Sequence, residues 1–80
     1  MKYVYLLESI SHPDQKYISL TSNFNFRLNE HNAGKSLYTS KYKPWKTVVV
    51  IRFNDDQKAE VFEKYLKNGS GHAFAKRHLW

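Results

Sequence analysis

The uninterrupted β-branched run Val48-Val49-Val50-Ile51, inside Thr47–Phe53, constrains this chain more than any other stretch. Side chains branched at Cβ favour extended backbone, where they pack on a pleated surface. A run with no polar interruption predicts a strand buried on both faces. The remaining residues have to supply that cover, and their patterning says how.

Lys2–Glu8 reads as a strand, with Tyr3 to Leu7 aromatic, β-branched or aliphatic. Ser9–Gln15 contains the turn cluster Ser-His-Pro-Asp, and Lys16–Thr21 reads as a second strand, so the pair forms a hairpin. Thr21, Ser22 or Asn23 caps a helix over about Phe24–Asn32, which stops near Gly34. Lys35–Lys46 is a basic, aromatic loop. After the strand Thr47–Phe53, Asn54 or Asp55 caps a helix over about Asp56–Lys67. Asn68-Gly69-Ser70-Gly71 breaks it, and a short helix over about His72–Arg77 closes the chain. The order β-β-α-β-α-α implies an α+β fold: a small, three-stranded, mainly antiparallel sheet flanked by helices.

A chain of 80 residues makes a single domain spanning residues 1–80. A domain of that size buries only about 60% of its unfolded surface, so its core must be well packed. Six tyrosines stand in an aromatic share of 16%, and many of these rings must be core. There are no cysteines, which excludes disulfides and Cys-type zinc sites and fits a reducing compartment. No apolar stretch approaches the roughly 20 residues that span a bilayer, and the opening residues lack a signal-peptide pattern. The expectation is a soluble, cytoplasmic protein. Its net charge of +6 attracts polyanions, of which nucleic acid is the commonest in a cell.

Two pairs of residues and one carboxylate carry candidate chemistry. Side chains alternate along a strand, so Tyr3, Tyr5 and Leu7 share one face, as do Tyr17 and Ser19. A hairpin register centred on Ser11 would set Tyr5 opposite Tyr17, with Cβ atoms about 4.5–5.5 Å apart. In the first helix Phe24, Leu28 and His31 form one stripe, with Arg27 on its edge and four residues from His31. Arg forks onto phosphate, and His exchanges protons near neutral pH. In the second helix Ala59, Phe62 and Leu66 form the core stripe, and Glu63 on its flank could face a cleft. A carboxylate there offers hard oxygen to Mg²⁺. Each feature also has an ordinary reading: cross-strand packing for the tyrosines, a snorkelling Arg beside a half-buried His, and a surface pair of Glu63 with Lys67. In the loop, Lys35, Lys41, Lys43 and Lys46 alternate with Tyr38, Tyr42 and Trp45. Such a segment either tracks a phosphate backbone and stacks on bases, or plugs the sheet with its aromatics.

The order and spacing of these features resemble a known family. Tyr3-Val4-Tyr5, then Tyr17-Ile18-Ser19, then Arg27-Leu28-Asn29-Glu30-His31-Asn32-Ala33-Gly34-Lys35, Tyr38-Thr39-Ser40-Lys41-Tyr42 and Glu63-Lys64-Tyr65-Leu66-Lys67 together resemble the GIY-YIG endonuclease domain. They are most similar to its small stand-alone, UvrC-like (YhbQ-type) subgroup. The resemblance runs from Lys2 to about Arg77.

It implies a metal-dependent endonuclease that hydrolyses phosphodiester bonds in DNA, in repair or related processing. Tyr5 and Tyr17 match the two motif tyrosines, one helping to deprotonate the attacking water and the other orienting the site. Arg27 matches the phosphate-binding arginine, and His31 a position that assists proton transfer. Glu63 matches the ligand of a single Mg²⁺ or Mn²⁺, and Asn68 a supporting asparagine. With Arg27 and Asn68, the loop residues Lys35, Lys41 and Lys43 would bind substrate. Two motif glycines are absent: Tyr3 and Ser19 stand in their places. Glycine at the second lets backbone or substrate approach closely, so Ser19 is expected to weaken activity. DNA is favoured over RNA, with a protein partner for targeting. The alternatives are a non-catalytic nucleic-acid-binding module on the same fold and a protein-interaction domain.

Overall fold

Lys2–Ser9 forms strand β1, and its burial sets the architecture. In a computed structural model covering Met1–Trp80, Val4, Tyr5, Leu6 and Leu7 are all fully buried. β1 is central, with β2 (Lys16–Thr21) on one side and β3 (Trp45–Phe53) on the other, both antiparallel to it. The β-branched run therefore lies on an edge strand, and Val48 to Ile51 are only half-buried there. The two-faced burial expected of that run belongs instead to β1, because the middle strand has a neighbour's side chains on both flanks.

Alternation sends β1's side chains into two cores. Val4 and Leu6 pack against Ala59 and Leu66 of helix α3 (Asp56–Leu66) and Ala75 of helix α4 (Gly69–His78). Tyr5 and Leu7 pack on the opposite face with Trp45, Tyr17, and Phe24 and Leu28 of helix α1 (Phe24–Asn32). The order β-β-α-β-α-α thus holds, with one addition. Leu37–Ser40 forms a single helical turn, α2, within the segment expected to be a loop. One turn is too short to show a period, and it is organised by tertiary burial: Thr39 is fully enclosed.

The hairpin keeps the expected faces but not the expected register. Tyr5 lies opposite Ser19, and Leu7 opposite Tyr17. The loop explains the slip. Ser9 Oγ accepts a hydrogen bond from the His12 amide at 3.0 Å, and the Gln15 amide donates to the His12 carbonyl at 2.8 Å. These contacts centre the turn on His12, one residue beyond Ser11, and so move each pairing by two. Because the shift is even, Tyr5, Tyr17 and Ser19 stay on one face.

β3 starts at Trp45, and a bulge at Leu6/Leu7 takes up Val48, since Leu6 pairs with Val49 and Leu7 with Thr47. Asp55 caps α3, accepting from the amides of Gln57 and Lys58 at 2.9 and 3.1 Å. The glycine-containing break is shorter than expected, and α4 already begins at Gly69. Gly71 has a steric purpose: a Cβ there would sit 1.6 Å from the Tyr65 carbonyl oxygen. The first turn of α4 lies directly on the last turn of α3, and only hydrogen fits between them. Gly71→Ala is expected to destabilise the protein by about 1–3 kcal/mol or more, the cost of overpacking a close contact. Thermal denaturation should show this as a drop of several degrees in Tm.

Candidate active site

On the α1 face of the sheet three fully buried polar side chains from three elements form a chain. Tyr5 Oη (β1) lies 2.9 Å from Nε2 of His31 (α1), and Nδ1 of His31 lies 2.7 Å from Thr39 Oγ1 (α2). Buried polar groups are costly unless paired, and here both ring nitrogens have partners. His31 is brought inward because Phe24 and Leu28, on the same helical stripe, anchor α1 on Tyr5 and Leu7. The expectation that this stripe carries His31 towards the core is met.

Burial sets the protonation states. It pushes the Tyr5 phenol above its ordinary value of 10.0, with Ser19 and Arg27 partly offsetting this by favouring the phenolate. Burial also lowers His31 below 6.5, and the neighbouring Arg27 charge adds to the effect while Glu30 opposes it. At neutral pH the pair is therefore a neutral phenol beside a neutral imidazole. Tyr5 is held as an acid and His31 as an available acceptor.

Arg27 sits at the edge of this group, its side chain 36% exposed and its guanidinium 2.9 Å from Glu30 Oε1. Glu30, which residue patterning did not single out, is the present partner of the arginine. The pair is too open to add much stability. Its consequence is positional: one guanidinium edge faces Glu30 while the charge remains close enough to influence Tyr5 and His31.

Tyr17 is half-buried, with its ring edge-on to His31 at 5.0 Å and 6.4 Å from that of Tyr5. It stacks on the exposed Tyr38 at 5.8 Å. Its hydroxyl makes no hydrogen bond within the protein, and no buried polar atom is left unpaired, so that hydroxyl reaches solvent. Tyr5, Tyr17, Arg27 and His31 are thus gathered in one place, with Ser19 directly across from Tyr5.

Glu63 is placed differently. Its helix α3 covers the other face of the sheet, packing against β1 and the edge strand β2. Its side chain is 13% exposed and pairs with Lys67 Nζ at 2.5 Å. No hydrogen bond or ion pair joins it to the tyrosine–histidine group, and no cluster of three or more His, Asp or Glu side chains occurs. The donor set nevertheless fits Mg²⁺, which keeps several waters and takes one or two carboxylates together with substrate phosphates. Lys67 would have to turn aside. Asn68 is exposed at the start of α4, donating to the Lys64 carbonyl at 2.8 Å, away from the tyrosines' layer. Lys35, Lys41 and Lys43 are exposed along the α1–β3 connection. Trp45 is 3% exposed and belongs to the core, so it is not free to stack on a base, whereas Tyr38 is.

Thr39 is the participant that residue patterning missed. A threonine in a polar segment carries no signal of burial, and its role depends on α2 folding back over α1.

The GIY-YIG catalytic domain family matches residues 1–77, and the chain belongs to this family. Its fold is that of a nuclease domain, whose substrate is nucleic acid and whose members generally depend on a divalent metal. No curated protein matches the sequence. No helix is long and apolar enough to cross a membrane.

The lowered proton affinity of His31 has a consequence for folding. An unfolded His31 titrates near 6.5, and the folded one at lower pH. Its contribution is complete above about pH 6.5 and lost as pH falls from there through the folded value. Tm should therefore decline between pH 7 and pH 5 in the parent protein, and decline less in His31→Gln. Equal slopes in the two proteins would contradict this.

Proposed function

We propose that this protein is a divalent-metal-dependent endonuclease that hydrolyses phosphodiester bonds in DNA. The observation that carries this reading is the buried Tyr5 phenol resting on the His31 imidazole beside the guanidinium of Arg27. Phosphodiester hydrolysis needs a group to take the proton of water and a cation to hold the developing charge. Arg27 binds the scissile phosphate with the donors that Glu30 leaves free. Tyr5 takes the proton of the attacking water as it passes its own to His31 Nε2. A free phenolate is not required, which suits a phenol whose ionisation is disfavoured. Tyr17, with its hydroxyl open to solvent, orients the water. Glu63 would hold the metal, and a bound Mg²⁺ or Mn²⁺ would supply Lewis-acid charge for the phosphate and the leaving oxygen. Lys35, Lys41 and Lys43 track the strand, and Asn68 supports the site from the α3–α4 junction. Ser19 adds a hydroxyl beside Tyr5 where the motif has glycine, and it weakens activity without removing any of these groups.

The similarity to the UvrC-like, YhbQ-type subgroup favours a cytoplasmic role in DNA repair, with a partner protein supplying the target. RNA is the other substrate to compare. A second reading is a nucleic-acid-binding module without catalysis. It is favoured by one observation: Glu63 stands across the sheet, engaged by Lys67.

Labelled single-stranded, duplex and flapped DNA, and a structured RNA, incubated with Mg²⁺ or Mn²⁺, separate these readings. The parent protein should give metal-dependent products. Glu63→Ala should give none, while Arg27→Ala should lose on the order of 10²–10³ in rate, as for removal of one charge-stabilising donor. Tyr17→Phe should cut more slowly with the fold intact. Cleavage retained by Glu63→Ala would refute the metal assignment. Salt-sensitive binding without products under either metal would establish the binding module instead.

A further inference from the structure

The group that faces His31 from α2 is a neutral hydroxyl, and this choice has chemical consequences. The titratable or charged groups around the imidazole are Tyr5 from β1, Tyr17 from β2, and Arg27 and Glu30 from its own helix. α2 contributes only Thr39 to the ring. A carboxylate at that position would fix the ring's orientation but also raise its proton affinity. A hydroxyl fixes the orientation and leaves the ring neutral.

We propose that Thr39 is a positioning residue for the nuclease chemistry, its hydroxyl oxygen accepting from Nδ1–H of His31 so that Nε2 faces Tyr5 as an acceptor. The proposal rests on the reading of Tyr5 and His31 given above. Two arrangements satisfy the observed distances. In one, Nδ1–H donates to Thr39 Oγ1 and Tyr5 O–H donates to Nε2. In the other, Thr39 O–H donates to Nδ1 and Nε2–H donates to Tyr5 Oη, which turns the phenol proton away from the imidazole and towards the Ser19 hydroxyl, the acceptor opposite it on β2. Arg27, a donor only, approaches the Tyr5 oxygen and can use its lone pairs but cannot take that proton. Only the first arrangement hands the phenol proton to His31, as the relay requires. When Tyr5 takes a proton from water and yields its own to Nε2, Thr39 continues to accept from Nδ1–H of the resulting imidazolium, so nothing has to reorient.

The surroundings hold Thr39 where this requires. Its main-chain carbonyl accepts from Trp45 Nε1 at 2.8 Å. Trp45 in turn is bound to α1 through Asn32, whose Oδ1 accepts from the Trp45 amide at 2.6 Å and whose Nδ2 donates to its carbonyl at 3.3 Å. One turn of helix is thereby clamped to β3, and β3 to α1, around a single imidazole.

The test combines spectroscopy with kinetics on the full chain. In ¹⁵N-labelled parent protein near neutral pH, His31 is expected to show a protonated Nδ1 and an unprotonated Nε2. Thr39→Val keeps the side-chain shape but removes the acceptor. It should shift His31 towards the Nε2–H tautomer and lower kcat on a DNA substrate on the order of tenfold or more, with KM little changed. Thr39→Ser should restore both the parent tautomer and the rate. An unprotonated Nδ1 in the parent overturns the proposal, as does a Thr39→Val protein with the parent's tautomer and pH–rate profile. If Thr39→Val does not fold, the parent spectrum and a Thr39→Ser protein that fails to match it in tautomer and rate still decide. If the parent cuts neither DNA nor RNA, the nuclease reading fails by itself, and the ¹⁵N spectrum still establishes or refutes the bond to Thr39.

Discussion

Strand β1 gives up solvent on both faces from Val4 to Leu7, and the remaining elements are arranged to make that tolerable. Three of these four side chains are aliphatic and need only contact. The fourth, Tyr5, brings a hydroxyl into the interior, where an unpaired polar group costs about 1–3 kcal/mol. The bond to His31 Nε2 removes that cost but buries an imidazole, whose other nitrogen then needs a partner of its own. Thr39 closes the sequence, and its burial accounts for a helical turn in an otherwise polar connection. The hydroxyl of a central-strand tyrosine thus dictates a histidine in α1 and the folding back of α2. The groups that stabilise this side of the sheet are also those assigned to chemistry, so stability and reactivity are not separable there.

The two faces of the sheet differ in character for the same reason. The α3–α4 face is an aliphatic core in which Ala59, Leu66 and Ala75 meet Val4 and Leu6, and Gly71 allows the two helices to touch. Nothing polar is enclosed there. The α1–α2 face is aromatic and hydrogen-bonded, and it opens at the β2 edge through Tyr17 and Tyr38. The lysines of the α1–β3 connection, Lys35, Lys41 and Lys43, are exposed as well.

What the sequence made legible followed from periodicity, and what it hid depended on individual contacts. Alternation in the first two strands put Tyr5, Tyr17 and Ser19 on one face, and the helical stripe of α1 carried Phe24, Leu28 and His31 inward together. Both are local properties of the chain. The register was set inside the turn, where the hydrogen bond from the His12 amide to Ser9 Oγ decides the centre, and residue type alone does not reveal that bond. The strongest strand signal, Val48 to Ile51, marked an edge strand, since β-branching reports a preference for extended backbone and not a place in the sheet. Thr39 and Glu30 were invisible for a related reason. A small hydroxyl and a helix-surface carboxylate look ordinary until a partner is seen 2.7 or 2.9 Å away.

The carboxylate and the proton relay need not belong to one preformed cluster. A site with several acidic ligands would bind a divalent cation in the absence of substrate and would subtract from a surface that relies on a net charge of +6 to attract a polyanion. One carboxylate, neutralised at rest by Lys67, leaves that surface positive. Arg27 is treated likewise by Glu30. Each of the two charges, the one assigned to the metal and the one assigned to the phosphate, is matched by a neighbour on its own helix, Glu63 by Lys67 four residues on and Arg27 by Glu30 three residues on. The Arg27–Glu30 pair is open enough for an incoming phosphate to replace the resting partner, and Lys67, the exposed member of the other pair, can turn away from the more enclosed Glu63. The buried phenol–imidazole–hydroxyl chain has the opposite property: its internal hydrogen bonds are already complete, and only the cover over the enclosed Tyr5 has to open for water to reach it. The rigid part of the arrangement is therefore the part assigned to protons, and the exchangeable part is the one assigned to the substrate's charge.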